Sequence, residues 1–256
     1  MSPKHWDVAA DLRAAIESGE YPPGTNLPGI TALAAELGVG RETAGKAYAL
    51  LEAEGLVRTN PANPRAGTVV LEQRPVRVAF SRYADVLAPG GLRGPWETAC
   101  DRAGVPGSMV LVDVEMAVGA PQDVAEALDI RPGNPVTCRN RHAVLGTDQV
   151  VQLHAAWYPQ WVAEASAVGE EGNIVGGVYL ALTAAGLRPI SFDERITGRA
   201  PTPVEAAQMQ MRGGHVLVIE RVTRDIDRRP LEFLQVVADE TRTELMYDDL
   251  PLANGN

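Results

Sequence analysis

The sequence predicts an α+β protein with two domains. Three observations support this fold class. The chain has 256 residues, which is long for one domain. Apolar residues recur at helical spacing as far as Leu51, and short apolar runs beyond residue 100 indicate strands interleaved with helices. The predicted domain limits are a first domain at 1–72, a linker at 73–78, a second domain at 79–250 and a tail at 251–256.

The composition is that of an ordinary globular protein, with 45% hydrophobic and 22% charged residues. No run of 18 uncharged apolar residues is present, so no membrane span is predicted. Acidic residues interrupt the N-terminal stretch where a signal peptide needs an apolar core, and we expect a cytoplasmic protein. We also expect no metal and no cofactor, because the cysteines and histidines lack ligand spacing: Cys100, Cys138, His5, His142, His154 and His215.

The net charge of −10 does not exclude a nucleic-acid partner. DNA affinity depends on the cations that face phosphates, because only those release counterions. An acidic chain with a locally basic surface is therefore expected to bind nonspecific DNA weakly and to be sensitive to salt.

The first 40 residues predict two helices separated by turns. The apolar face of the first helix is Val8, Leu12, Ala15 and Ile16. This helix is expected to end at Ser18-Gly19, because the prolines at 22 and 23 prevent its continuation. A second helix is predicted from Thr31 to Leu37, followed by a glycine-rich turn at 38–40.

A third helix is predicted from Arg41, ending before Gly55. Its predicted buried face is Ala44, Ala47, Tyr48 and Leu51. The opposite face carries Arg41, Glu42, Gly45, Lys46 and Ala49. Two short helices joined by a glycine turn, with small and basic residues near the start of the second, form a helix-turn-helix pattern.

Two short strands are predicted after the third helix, at Leu56–Thr59 and Thr68–Leu71. The loop between them carries Arg65 and ends in Gly67, so the hairpin has a cation suited to a minor groove. The order of helices and hairpin favours a winged helix-turn-helix that binds double-stranded DNA. A plain helical domain with a few surface cations is the alternative. The candidate DNA contacts are Arg41, Thr43, Lys46, Arg65 and Gly67.

The second domain is predicted to combine an antiparallel sheet with helices. The predicted strands are Met109–Val114, Pro135–Val144, Val150–Trp157, Val216–Arg224 and Leu231–Ala238. The predicted helices are Asp123–Leu128, Gly177–Ala185 and Val204–Met211, the last capped by Thr202.

The run DLRAAIESGEYPPGTNLPGITALAAELGVGRETAGKAYALLEAEGLV closely resembles the N-terminal domain of the GntR family of bacterial regulators. The matching motifs are I-x-x-G, P-x-G-x-x-L-P, the long helix-turn-helix signature through Gly55-Leu56-Val57, and Gly67-Thr68. Where that family usually has Ser-x-Arg, this chain has Gly29-Ile30-Thr31, and Gly40 and Gly45 replace a serine and a basic residue. These differences affect the operator sequence rather than the class of activity.

The second half resembles the UTRA effector domain of the HutC subfamily, whose fold is similar to chorismate lyase. The runs that carry the resemblance are DVAEALDIRPGNPVTCRNRHAV, QLHAAWYPQWV and VLVIERVTRDIDRRPLEFLQVVAD. The resemblance implies a bound small molecule with contacts from Arg139, Arg141, Glu232 and Ser81. Arg139 and Arg141 lie two residues apart on a predicted strand, so they share a face and can form a fork for a carboxylate or phosphate. Solvated arginines paired with acids are the alternative.

The sequence thus predicts a transcriptional regulator, expected to be a repressor, that binds a palindromic operator as a homodimer and responds to a small anionic metabolite. An effector-independent repressor with a vestigial pocket is one alternative. The other is an enzyme with a chorismate lyase-like fold. No nucleophile elbow, HExxH or phosphate loop is present, and the second half is too short for an aminotransferase domain, which argues against catalysis.

Overall fold

The computed structural model describes residues 4–59, 67–73, 75–79, 94–211 and 213–247. The chain divides into two compact units. The first comprises residues 1–74 and 202–214, and the second comprises residues 75–201 and 215–256. Residues 202–214 thus group with the first unit, although the sequence places them in the second domain.

Three helices form the core of the first unit. The first spans its predicted apolar face, and the second and third begin within one residue of their predicted starts. The three helices are α1 (His5–Glu17), α2 (Ile30–Glu36) and α3 (Arg41–Ala53). The turn between α2 and α3 contains Gly38 with φ +64°, a conformation that favours glycine. The four residues predicted for the inner face of α3 are all buried. They pack with the buried residues Val8, Ala9, Leu12, Ile16, Leu27, Leu33, Ala34, Val57 and Val70.

A three-stranded antiparallel sheet completes this unit, in the order β1-β3-β2. The strands are β1 (Asn26–Leu27), β2 (Val57–Thr59) and β3 (Thr68–Val70). Gly67, with φ +86°, precedes β3, and a Cβ atom there would lie 3.1 Å from Oδ1 of Asn26. Glycine is therefore favoured at position 67 by both backbone conformation and space. Arg65 lies outside the described residues.

The second unit contains a six-stranded antiparallel sheet in the order β5-β6-β7-β10-β9-β8. Its strands are β5 (Gly107–Gly119), β6 (Pro135–Leu145), β7 (Gln149–Pro159), β8 (Ser191–Arg199), β9 (Val216–Arg224) and β10 (Pro230–Asp239). The central β7–β10 pair joins two hairpins, β6–β7 and β9–β10. This arrangement is the antiparallel sheet with helices that the sequence predicts.

Short helices cover both faces of the sheet. They are α4 (Pro95–Ala103), α5 (Gln122–Ala127), α6 (Gln160–Ala165) and α7 (Val178–Ala184). Val124 of α5 and Leu128 pack with Phe233 on one face. Val162 of α6 and Leu182 of α7 belong to the core on the other face. Helix α8 (Pro203–Met209) belongs to the first unit. Thr202 caps it as predicted, and the structure adds a capping box with Glu205.

A two-stranded parallel sheet joins the two ends of the second unit. Strand β4 (Val76–Ala79) pairs with β11 (Thr243–Met246). Val76 and Leu245 pack in one core with Trp96 and Leu145. Residues 76–78, which the sequence assigns to the linker, therefore lie in a strand of the second unit. Within the described ranges, no helix is long and apolar enough to cross a membrane.

Candidate functional site

Helix α3 presents a polar surface opposite its buried face. Arg41, Glu42, Lys46 and Ala49 are exposed, whereas Thr43 and Gly45 are half-buried. A Cβ atom added at Gly45 would meet nothing within 4 Å, so the backbone of α3 is uncovered at this position. A helix with a bare backbone flanked by cations can approach base edges closely.

The first unit has few cations available for phosphates. Residues 1–74 carry seven Lys and Arg against nine Asp and Glu. Nζ of Lys46 lies 2.7 Å from Oε1 of Glu42, one helical turn away. Arg13 donates two hydrogen bonds to Glu54, at 2.9 Å and 2.5 Å, and thereby ties α1 to the end of α3. Arg13 therefore stabilises the fold, and Arg41 is the exposed cation at the start of α3.

The orientation of α3 is fixed at both ends by hydrogen bonds. The Tyr48 hydroxyl donates to the carbonyl of Pro28, just before α2. Burial raises the pKa of Tyr48 to about 12, so this hydroxyl stays protonated. At the other end, the Thr59 backbone N–H donates to Oε1 of Glu52 at 2.6 Å, which attaches the hairpin to α3. Strand β2, with which the hairpin begins, is therefore attached to the C-terminal part of α3.

A cavity of about 120 Å³ lies on one face of the six-stranded sheet, within the second unit. The polar residues that line it are Arg141, Gln152, His154, Tyr179, Arg221 and Glu232. Its apolar residues include Val78, Trp96, Met109, Val178, Ile219, Leu234, Val236 and Leu245. Arg141, His154 and Val236 are cross-strand partners in one row, which places them on the same face of the sheet. The structure thus brings Arg141 and Glu232 into one cavity.

Arg139 lies on the same face but has a different environment from Arg141. Its side chain is buried and lines an adjoining cavity with Arg141. Nη1 donates to the carbonyls of Val168 at 3.1 Å and Glu170 at 2.7 Å, and Nη2 donates to the carbonyl of Gly172. The expected fork of two free guanidiniums is therefore not formed, because a buried guanidinium needs acceptors and the loop at 168–172 supplies them.

Arg141 is the arginine that is open to a ligand. Its Nε atom is buried without a hydrogen-bond partner, and so is Nε1 of Trp96, another cavity residue, among the residues that the structure describes. Burying an unpaired donor is unfavourable, so an acceptor at this end of the cavity would remove a cost of about 1–3 kcal/mol. This end of the cavity is suited to an anionic or carbonyl oxygen.

His154 adds no positive charge to the cavity. Burial lowers its pKa to about 3, and the charges of Arg141 and Arg221 and the nearby His142 act in the same direction. Its Nε2 atom lies 2.9 Å from Oε1 of Gln152, which orients the ring. His154 is therefore a neutral hydrogen-bonding group at physiological pH.

Glu232 is the carboxylate that lines the cavity, and it is buried. Tyr158 donates to its Oε1 at 2.6 Å and Thr223 donates to its Oε2 at 3.2 Å. Both oxygens accept hydrogen bonds, which is the pattern of an ionised carboxylate. Burial and the charge of Glu232 raise the pKa of Tyr158 well above its usual value, so Tyr158 remains a donor.

Arg221 is a cavity residue that we did not predict from the sequence, although it lies in the run VLVIERVTRDIDRRPLEFLQVVAD that carries the family resemblance. It is fully buried on β9 and forms an ion pair of 2.5 Å with Glu194 of β8. Its guanidinium also stacks on Phe192, 4.4 Å from the ring centre. Ser81, the fourth predicted effector contact, lies outside the described residues.

Comparison with known proteins establishes the family of this chain. Residues 5–70 match the bacterial regulatory proteins of the gntR family, and residues 116–242 match the UTRA domain. An HTH-type transcriptional regulator of Streptomyces coelicolor is 31% identical, with 96% of this chain and 93% of the relative covered. The chain belongs to the GntR family of transcriptional regulators.

Other relatives of this GntR regulator are also described as transcriptional regulators. An HTH-type transcriptional regulator of Rhizobium meliloti is 29% identical over 95% of this chain and 94% of its own length. The crystal structure of a GntR-family transcriptional regulator has 32% identity and a TM-score of 0.58, covering 98% of both chains. PhnF from Mycobacterium smegmatis shares the fold, with a TM-score of 0.59 and 19% identity. The match covers 96% of this chain and 100% of the PhnF chain.

Membership in the GntR family confirms the class of protein predicted from the sequence. GntR regulators bind DNA and UTRA domains bind small-molecule effectors, so this chain is a transcriptional regulator and not an enzyme. The winged helix-turn-helix and the antiparallel sheet are also confirmed.

Proposed function

We propose that this GntR regulator is a cytoplasmic repressor of the HutC subfamily whose operator affinity is lowered by a small molecule bound in the second unit. The observation that carries the proposal is the cavity in which Arg141 and Glu232 face a common space. A site with a buried unpaired donor on Arg141 and the buried carboxylate of Glu232 is built for a polar ligand.

For the operator, we propose contacts from Arg41, Thr43 and Lys46 of α3 and from Arg65 and Gly67 of the hairpin. The exposed start of α3 and its bare backbone at Gly45 support insertion into a major groove. Lys46 is expected to exchange its contact with Glu42 for a phosphate, since an exposed ion pair of this kind is weak.

We further propose a homodimer on a palindromic operator. One helix-turn-helix head reads few base pairs, and specificity against a whole genome requires two half-sites. A two-fold symmetric dimer then imposes half-sites related by the same symmetry, on successive faces of the major groove.

For the effector, we propose that Arg141 and Glu232 contact the ligand directly and that its anionic group lies at Arg141. Arg139 is proposed to position the loop at 168–172 beside the site, since its guanidinium is occupied by three carbonyls. Ser81 is retained as a proposed contact from the resemblance.

The test of DNA binding starts with selection of an operator from random DNA by the full-length protein. Affinity for that operator is then measured by fluorescence anisotropy for wild type, Arg41→Ala/Lys46→Ala and the control Arg195→Ala, which removes an exposed arginine of the second unit. We expect the double variant to bind at least about tenfold more weakly, or 1.4 kcal/mol. Unchanged binding would refute the assignment of α3 as the reading helix.

The test of effector control adds a library of small metabolites to the protein–operator complex. A true effector must lower operator affinity, and the operator must weaken effector binding by the same factor, about 5- to 150-fold for typical coupling. If no compound changes operator affinity, the effector-independent repressor becomes the better description.

A further inference from the structure

We propose that the cavity selects a zwitterionic, amino-acid-like effector, with its carboxylate at Arg141, its ammonium group at Glu232 and an apolar body between them. The inference rests on the proposed function, because it assumes that this cavity is the effector site. It is carried by three features of the described residues: the balance of charge, the separation of the two open charges, and the apolar walls.

In the part of the chain that the structure describes, the cavity lining carries two cations, Arg141 and Arg221, and one anion, Glu232, and Glu194 beside the lining supplies a second anion. Arg221 is already neutralised by Glu194 at 2.5 Å. The adjoining cavity adds one cation, Arg139, and one anion, Glu97, so it leaves the total charge unchanged. Arg141 and Glu232 remain as one cation and one anion without a partner of opposite charge. A ligand of net charge zero that carries both signs matches this pair.

A dianionic ligand such as a phosphate monoester fits this balance poorly. It would place two negative charges beside one open guanidinium, with the Glu232 carboxylate in the same buried space. Neighbouring groups offer little to a second negative charge, because His154 is neutral and the hydrogen bonds of the Arg139 guanidinium are directed to the carbonyls of the loop at 168–172. A single carboxylate is the anion that one arginine satisfies.

Arg141 and Glu232 occupy different backbone positions in the sheet. Arg141 lies in the row of His154 and Val236, on a strand two positions from β10, which is about 10 Å across the sheet. Glu232 lies four residues along β10 from Val236, about 13 Å in the strand direction. The two side chains form no ion pair with each other, so each needs its own counter-charge from the ligand.

Glu232 retains capacity for an ammonium group. A carboxylate offers about four lone-pair positions. Tyr158 and Thr223 occupy one position on each oxygen, which fixes the carboxylate and leaves acceptor positions on the cavity side. A ligand that lacked a donor would leave this buried charge without compensation.

Much of the cavity wall is apolar, although Gln152, His154 and Tyr179 also line it. Val178, Ile219, Leu234, Val236 and Leu245 line the cavity on the sheet and on α7. A sugar would bury its hydroxyls against these groups without partners, which is unfavourable. A hydrocarbon chain gains by the same contact.

The experiment uses isothermal titration calorimetry on the full-length protein with matched sets of compounds. The compound 6-aminohexanoate is compared with hexanoate, which lacks the amino group, and with pentylamine, which lacks the carboxylate. The shorter 5-aminopentanoate is compared with pentanoate and butylamine in the same way. Inorganic phosphate and glucose 6-phosphate complete the panel. We expect at least one zwitterion to bind at least about tenfold more tightly than both of its singly charged analogues.

Two variants assign the charges. In Arg141→Met the zwitterion is expected to bind no more tightly than its amine analogue, because the partner of the carboxylate is gone. In Glu232→Gln the zwitterion is expected to bind no more tightly than its carboxylate analogue, because the partner of the ammonium group is gone. Arg195→Met is the control, because Arg195 is exposed and pairs with Glu220. The comparison within each set on wild-type protein stands even if a variant fails to fold.

The outcomes separate this inference from the proposed function. Tighter binding of simple carboxylates or phosphorylated compounds that also release the operator would overturn the zwitterion and leave the effector cavity in place. Failure of every zwitterion in the panel likewise overturns the inference. Failure of the panel together with the wider metabolite library would overturn the proposed effector control as well.

Discussion

Arg139 and Arg141 lie two residues apart on β6 but have different roles. Arg139 supplies donors to the carbonyls of Val168, Glu170 and Gly172, whereas Nε of the neighbouring Arg141 has no acceptor in the described part of the chain. We expect Arg139→Met to lower the free energy of unfolding by about 1–3 kcal/mol, because the buried carbonyl of Val168 loses its donor. Arg141→Met is expected to leave stability unchanged or to raise it. Urea denaturation of both variants measures this, and equal losses would contradict the distinction.

His154 is expected to make the protein sensitive to acid. Its pKa is about 3 in the folded protein because of burial and of repulsion from Arg141, against about 6.5 in the unfolded chain. Between these values the unfolded state binds the extra proton, so the free energy of unfolding falls as pH falls, by about 1.4 kcal/mol per pH unit for one such group.

The His154→Gln variant should therefore lose less stability than wild type between pH 6.5 and pH 4, since glutamine does not titrate. Urea unfolding at several pH values measures the slope. His215→Gln is the matched control, because His215 is exposed on the surface. Identical slopes for wild type and His154→Gln would contradict the buried neutral state of His154.

The sequence points to Arg141 and Glu232 but not to the partners that distinguish Arg139 from Arg141. Residue types and strand spacing show which side chains share a face. They do not show that a loop at 168–172 folds over one guanidinium, nor that Glu194 of a distant strand neutralises Arg221. These contacts depend on tertiary structure, so they appear only when the strands are placed in order.

At the level of whole elements, helix α3 contains an interior glycine with free space around it. Glycine in a helix interior is unfavourable by about 0.5–1 kcal/mol relative to alanine. We expect Gly45→Ala to raise the thermal stability of the protein by this amount and, at the same time, to weaken operator binding, because the added methyl group separates the helix from the base edges. Thermal unfolding and anisotropy measure the two effects. Higher stability with unchanged affinity would show that α3 does not approach DNA at this point.

Elements with local sequence signals were predicted well, and elements defined by distant pairing were not. The start of α3 at Arg41, the β6–β7 turn at 146–148 and the Thr202 cap of α8 match the structure. Strand β8 was missed because most of its residues are exposed, which removes the alternation of apolar and polar residues. Strands β4 and β11 were missed because each is four residues long and its partner lies at the opposite end of the unit. Helix α4 was missed although Pro95 and Gly104 mark its ends.

For the whole molecule, the charge distribution predicts how DNA binding responds to salt. The net charge is −10, and Arg13 of the head is committed to Glu54. A dimer that neutralises about four to six phosphates should lose roughly 10²- to 10³-fold in operator affinity between 50 and 200 mM salt. Nonspecific DNA is expected to be released first. Anisotropy titrations with operator and scrambled DNA over this range, with sedimentation to establish the dimer, test the prediction. A flat salt response would contradict a phosphate-based contribution.

The parallel pairing of β4 with β11 has a consequence for folding during synthesis. Val76 pairs with Thr243 and Ala79 with Met246, and β11 is the strand that pairs with β4 in the described part of the chain. The backbone groups of β4 therefore have no strand partner until the ribosome has released the segment that contains residue 246. The second unit can complete this sheet only late in translation, so a prematurely terminated chain would leave the strand that follows the head exposed.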